Sequence, residues 1–155
     1  VQMMGEEPAF EDLKRLHASA GRSGTAYGLV SDLAAAEGAN KLISELPDVD
    51  ILINNASAIS LTPTDKTDMK RYDLMHSINT RGTFLCSKLA LPHLKKSKNP
   101  HILNISPPLN IFGTGVNWFA DHCAYTMAKY GMTLCAYGMA AEFAPYKIAV
   151  NTLWP

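Results

Sequence analysis

Apolar positions in this chain fall into stretches that switch between a helical and an extended period. Residues 8–20 (PAFEDLKRLHASA) place Phe10, Leu13, Leu16 and His17 at helical spacing with charges between them, and Gly21 closes the run. Residues 25–31 (TAYGLVS) are β-prone and bounded by Gly24 and Asp32, which reads as a strand. Residues 34–46 give a helix with Leu42, Ile43 and Leu46 as its buried stripe, ended by Pro47 and Asp48. Residues 50–54 (DILIN) form a continuous apolar run, the pattern of a strand covered on both faces. A loop rich in Ser, Thr, Pro and Asp over 57–67 precedes a long helix from Asp68 to about Lys96. Lys95, Lys96 and Lys98 suit its C-terminus, and Pro92 is expected to kink it. Residues 101–106 (HILNIS) read as another buried strand, and 107–118 as an irregular loop punctuated by Pro and Gly. A second long helix over 121–144, rich in Ala, Met and Gly, leads to a last strand over 147–153 (KIAVNTL).

Strand and helix alternate with no hairpin signal. This predicts an α/β fold: a doubly wound parallel sheet in three layers, helices on both faces, right-handed crossovers, and one domain over 1–155. Composition narrows the function. The 14 basic residues balance 14 acidic ones, so nucleic-acid binding driven by phosphate attraction is not expected. No apolar run approaches the ~20 residues of a membrane helix, and the first residues lack a basic-then-apolar leader. The three cysteines (Cys86, Cys123, Cys135) show no CxxC and read as small buried thiols in a reducing compartment, the cytoplasm or an organelle. His17, His76, His93, His101 and His122 show no metal-binding spacing, so no metal is expected and each reads as a polar surface or loop residue. A hydrolase is not expected, because no G-x-S-x-G elbow is present.

In such sheets ligands bind beyond the carboxyl ends of the strands. Polar and small residues gather there: Asp32 after the first strand, Asn54, Asn55, Ala56 and Ser57 after the second, Ser106 after the third, Asn151 and Thr152 at the last. Each alone also fits a cap or turn. On the last long helix Tyr125 and Lys129 stand four residues apart and share a face. A phenol with a pKa of ~10 is a poor base at neutrality. An ammonium about 4 Å away at an effective dielectric of ~20 is worth roughly 4 kcal/mol, nearly three pKa units. Such a pair can exchange a proton with an alcohol or carbonyl. It is equally compatible with an amphipathic pair whose lysine is solvated.

In combination these segments resemble the short-chain dehydrogenase/reductase superfamily, and within it the hydroxysteroid dehydrogenase-like 2 type. DILINNA (50–56) is similar to the strand-plus-NNAG segment, SINTRGTF (77–84) to the helix carrying the active-site Asn, and HILNIS, AYTMAK (124–129) and IAVNTLWP (148–155) follow in the expected order. The resemblance implies a Rossmann-type fold and hydride transfer between NAD(P), with a lean towards NADP, and an alcohol or carbonyl carbon. It implies Tyr125 as proton donor or acceptor, Lys129 acting on that tyrosine and on the nicotinamide ribose, and Asn79 holding a relay water. It further implies Asp32 near the adenine, the backbone of Asn54, Asn55 and Ala56 beside the cofactor, and Asn151 to Pro155 near the nicotinamide. Pro107 occupies the position of the usual catalytic Ser, leaving Ser106 to stand in, and Ser57 replaces the Gly of NNAG. No Gly-rich dinucleotide turn follows a first strand, so a first βα unit and elements after Pro155 are expected to be missing. The apolar loop with Leu109, Ile111, Phe112, Trp118 and Phe119 suits a hydrophobic substrate or a subunit contact. Small residues on the two long helices (Cys86, Ala90, Gly131, Cys135, Gly138, Ala141) point to a homodimer or homotetramer. The alternative function is a cofactor-binding relative with weak or no turnover, serving as a sensor or interaction module.

Overall fold

The computed structural model of the chain describes residue 29 and residues 31–107 and 120–154. The chain divides into two units, Val1–Ser31 and Asp32–Pro155, and every element described here belongs to the second. The expected helix over 8–20, nearly all of the strand over 25–31, the apolar loop after Pro107 and Pro155 lie outside the described residues.

Helix α1 (Ala36–Ser44) leads to strand β1 (Ile51–Asn54), followed by a short 3-10 turn at Thr64–Lys66 within the expected loop. The long helix then comes in three pieces: α2 (Met69–Met75), a π-helical segment (His76–Gly82) and α3 (Thr83–Leu94). Asp68 starts it as an N-cap, its carboxylate accepting from Lys70 N at 2.7 Å. Pro92 sits in its last turn, and the helix stops two residues on at Leu94. Strand β2 (His101–Ile105), helix α4 (Cys123–Phe143), a 3-10 turn (Ala144–Tyr146) and strand β3 (Ala149–Leu153) complete the order. Lys147, in the left-handed region at φ 58°, turns the chain into β3.

The sheet is parallel throughout, in the order β1-β2-β3. Ile51 pairs with His101 and Asn54 with Asn104, and Ile105 pairs with Leu153, so the three carboxyl ends are aligned. Leu52, Ile102 and Val150 present one face to α1, α3 and α4. There Ile43, Ala90, Leu94, Met139 and Phe143 close a single apolar cluster, the main source of stabilisation by area removed from water. This is an α/β, Rossmann-like arrangement. Among the described residues the DILIN strand, expected to be covered on both faces, is covered on one. Ile51 and Ile53, on the other face, are 56% and 57% exposed, and among the described residues the core helices pack against a single side.

Candidate functional site

A second, smaller apolar cluster lies where the strands end. Ala58, Met75, Ile78 and Ala128 are buried there, with Leu74, Ala124 and Tyr125 packed against them. It ties together the loop after β1, the π-helical segment and the first turns of α4.

The π-helical segment sets these distances. Asn79, fully buried at its centre, accepts from Ala58 N through Oδ1 and donates to Ala58 O through Nδ2, both at 2.9 Å. The side chain thus imitates one rung of a β-ladder and clamps the loop after β1 to the helix. One residue on, Thr80 Oγ1 donates to Ala128 O in α4 at 2.9 Å. Thr80 reaches α4 because position 131 is glycine: a Cβ there would sit 2.6 Å from Thr80 Oγ1 and 2.7 Å from its Cγ2. Wide helical turns of this kind often mark functional sites, since they redirect side chains within an otherwise regular helix.

Above this platform opens a cleft of about 500 Å³, bounded by Asn55 and Ser57 after β1, Ile105 to Pro107 at the end of β2, and the first turns of α4. Its size is that of a small-molecule site. Tyr125 and Lys129, one helical turn apart, both line it and both are half-buried. Lys129 Nζ donates to the Ile105 carbonyl at 2.6 Å, which anchors the ammonium at the end of β2 with two further N–H groups to offer. Burial disfavours the charged form and holds the lysine below its ordinary range. Ile59 and Leu61 add apolar surface at the rim, each 60% exposed.

The expected site residues are thus only partly brought together. Tyr125, Lys129, Asn55 and Ser106 line the cleft. Ala56 is exposed and lies off the cleft. Asn79 is fully buried and does not line the cleft, and each end of its amide bonds once to Ala58. Asn54 also points inward, donating to Asn104 Oδ1 at 2.7 Å and to Ser87 Oγ at 3.1 Å, so a ligand can meet only its backbone. Asp32 is exposed and caps a turn, accepting from Ala34 N at 2.9 Å. Asn151 is exposed on β3. The hydroxyl of Ser106 is buried and accepts from Thr133 Oγ1 at 2.9 Å, while Thr133 also lies 3.1 Å from the Pro107 carbonyl.

Sequence reasoning missed Thr80, Gly131 and Thr133, whose roles depend on a helix crossing that no local pattern announces. His122, expected to be a surface or loop residue, lies in the loop just before α4 and lines the cleft with Thr126. Its spacing of four from Thr126 was a readable signal. Among the described residues no group of three or more His, Cys, Asp or Glu could hold a metal ion, and no helix is long and apolar enough to cross a membrane.

Known proteins share this arrangement. Hydroxysteroid dehydrogenase-like protein 2 of Xenopus laevis is 59% identical over 115 residues, which are 74% of this chain and 27% of the relative. The chain therefore matches about a quarter of the length of that relative. A crystal structure of a short-chain dehydrogenase from Mycobacterium thermoresistibile superimposes with a TM-score of 0.81 at 38% identity, covering 95% of this chain and 50% of the other. A metagenomic short-chain oxidoreductase solved in complex with NADP shares the fold, with a TM-score of 0.79 at 22% identity over 94% of this chain and 66% of the other. Residues 5–155 match the model of the short chain dehydrogenase family. The chain belongs to the short-chain dehydrogenase family and is similar within it to hydroxysteroid dehydrogenase-like protein 2.

Proposed function

We infer that the cleft is the reaction site of an NAD(P)-dependent oxidoreductase acting on a hydrophobic alcohol or carbonyl compound. The observation that carries this reading is the placement of Tyr125 and Lys129 in one cleft at the carboxyl ends of β1 and β2. The residues present suit the nicotinamide end of the cofactor. Lys129 has spare donors that would hold ribose hydroxyls, and the exposed chain at Asn55 and Ser57 and the apolar Ile105 would line the site beside it. When bound, the cofactor supplies or takes the hydride.

The protein's own part is proton transfer and positioning. In reduction Tyr125 gives its hydroxyl proton to the carbonyl oxygen as negative charge develops there, and in oxidation it takes the alcohol proton. Lys129, fixed on Ile105, keeps a positive charge on the same helix face. Asn79 positions the loop that carries Ser57 and Ile59, and Ser106 fixes the Thr133 contact behind the wall of the cleft. The apolar rim at Ile59 and Leu61 favours a hydrophobic substrate. The lean to NADP rests on family resemblance.

Steady-state NADPH oxidation by the full-length protein, with a panel of aliphatic and cyclic ketones and aldehydes, tests this reading. Turnover that falls by at least ~10²-fold in Tyr125→Phe supports it. A second reading, cofactor binding with little turnover, is favoured by one observation: Pro107 has no hydroxyl. Saturable NADPH binding with no turnover of any panel member would select it.

Self-association through the long helices is part of the same reading, on a different set of residues from those expected. Cys86 and Ala90 are buried, Cys135 packs on the core and Gly131 meets Thr80, which leaves Gly138 and Ala141 outward. Exposed Phe84, Leu134 and Tyr137 on α3 and α4 supply the apolar surface a subunit contact needs. Sedimentation velocity at micromolar concentration should show a dimer or tetramer, and a monomer would refute the contact.

A further inference from the structure

His122 immediately precedes α4, yet its ring does not cap the helix. Its Nδ1 lies 2.9 Å from Thr126 Oγ1, one turn on, while the Thr126 N–H donates to the His122 carbonyl at 2.9 Å. Two contacts between the same pair of residues fix the ring against the helix. His122 and Thr126 are half-buried, and both line the cleft with Tyr125. The chain enters this arrangement through Asp121, held in the left-handed region at φ 63°. With Nδ1 engaged, Nε2 on the far side of the ring is its one remaining polar atom, and it has no partner among the described residues.

We propose that His122 is a catalytic residue of this cleft, whose Nε2 hydrogen-bonds the reacting oxygen of the substrate beside the Tyr125 hydroxyl. The inference rests on the oxidoreductase reading of the cleft. A hydroxyl can donate or accept, so Thr126 supports both tautomers of the ring. With Thr126 donating to Nδ1, the ring carries its proton on Nε2 and donates to a carbonyl oxygen. The same tautomer serves both directions: Nε2–H donates to the oxygen in the shared transition state, and no proton leaves the ring, because Tyr125 gives the proton in reduction and takes it in oxidation. His122 stabilises the oxygen only while charge develops on it. Position 107 offers no hydroxyl for that task, while Ser106 is buried and accepts from Thr133. The titratable groups around the ring are Tyr125, Lys129 and Tyr130 in the cleft and Asp121 before it in the chain.

The test compares His122→Gln, His122→Asn, His122→Phe and Tyr125→Phe in the full-length protein, with NADPH and 2-decanone or cyclohexanone as probes. Glutamine carries its amide near the place of Nε2, whereas asparagine reproduces only the Thr126 side. The expected result is a kcat loss of about 10–100-fold in the Phe and Asn variants with a smaller change in KM. The Gln variant should keep activity within about 10-fold. A second readout needs no turnover: in long-range ¹H–¹⁵N spectra, saturating ketone should move the His122 Nε2 resonance and leave Nδ1 nearly in place, in the wild type and in Tyr125→Phe alike. Unchanged kcat in His122→Phe, or an unmoved Nε2 resonance, would overturn the role of His122 while a dead Tyr125→Phe upheld the site. No turnover of either probe by the wild type would overturn both.

Discussion

Gly131 and Gly138 lie two turns apart on one helix, and adding a methyl group to each should have opposite effects. At Gly131 the new Cβ would stand 2.6 Å from Thr80 Oγ1, 2.7 Å from Cγ2 and 3.2 Å from Cβ. Ordinary carbon contacts fall at ~3.5–4.0 Å, so something must move by about 1 Å. Thr80 cannot simply rotate, because its β-branched side chain is stiff and its hydroxyl is bonded to Ala128 O at 2.9 Å. Overpacking of this kind costs about 1–3 kcal/mol. At Gly138 nothing lies within 4 Å. There the methyl acts mainly on the backbone, and alanine is favoured over glycine in a helix by about 0.8–1 kcal/mol. The same backbone gain applies at Gly131, so the difference between the two variants isolates the clash. Urea denaturation should place Gly131→Ala below Gly138→Ala by about 1–3 kcal/mol, with Gly138→Ala at or above the wild type. Measuring at two protein concentrations separates any subunit effect at Gly138, which would vary with concentration. Adding Thr80→Ala to Gly131→Ala should recover part of the loss, a coupling of about 0.5–3 kcal/mol. Equal stability of the two alanine variants would refute the close crossing, and with it the way α4 is held against the π-helical segment.

Three further outcomes follow from buried groups. Asn79→Ala leaves the N–H and C=O of Ala58 without their partners in a buried place, and should cost about 2–5 kcal/mol in urea denaturation. Lys129→Met tests the lowered lysine pKa, whose cause is burial. Because the folded value lies below the unfolded one, the burial penalty is complete at pH below both and is relieved as pH rises through the folded value towards the usual ~10.4. Wild-type stability relative to Lys129→Met should therefore rise with pH on that approach, and a flat difference would contradict the burial. Turnover should be lost in the same variant. Iodoacetamide followed by mass spectrometry should label exposed Cys123 first, with Cys135 slower and Cys86 protected until unfolding, since burial raises the thiol pKa of the latter two.

Much of the scaffold can be read from local periodicity. Helices at Ala36–Ser44 and Cys123–Phe143, the outer ends of the long helix at Met69 and Leu94, and the three strands fall within two residues or so of their expected limits. Apolar stripes and Pro or Gly punctuation are local signals, and the packing agrees with them. The covering of β1 was less legible. A run such as DILIN says that a strand is apolar on both faces, but not which segments lie against each face. The π-helical turn was invisible for a related reason: His76–Gly82 has the composition of an ordinary helix, and the widening is tied to long-range contacts from Asn79 to Ala58 and Thr80 to Ala128. In the site, the Tyr125–Lys129 pair was legible because spacing of four on a helix fixes a shared face. At Asn54 and Asn79 residue type does not separate ligand binding from holding buried backbone and side-chain groups, which is what both amides do here.

The most direct measurement follows a deuterium atom. NADPH labelled at the transferable C4 position, incubated with the full-length protein and a hydrophobic ketone, should deliver deuterium to the carbinol carbon of the product. Tyr125→Phe, binding NADPH with similar affinity, should deliver it at least ~10²-fold more slowly. Product without label at that carbon, or equal rates of transfer in the two proteins, would contradict the assignment of Tyr125 and its cleft to hydride-transfer chemistry.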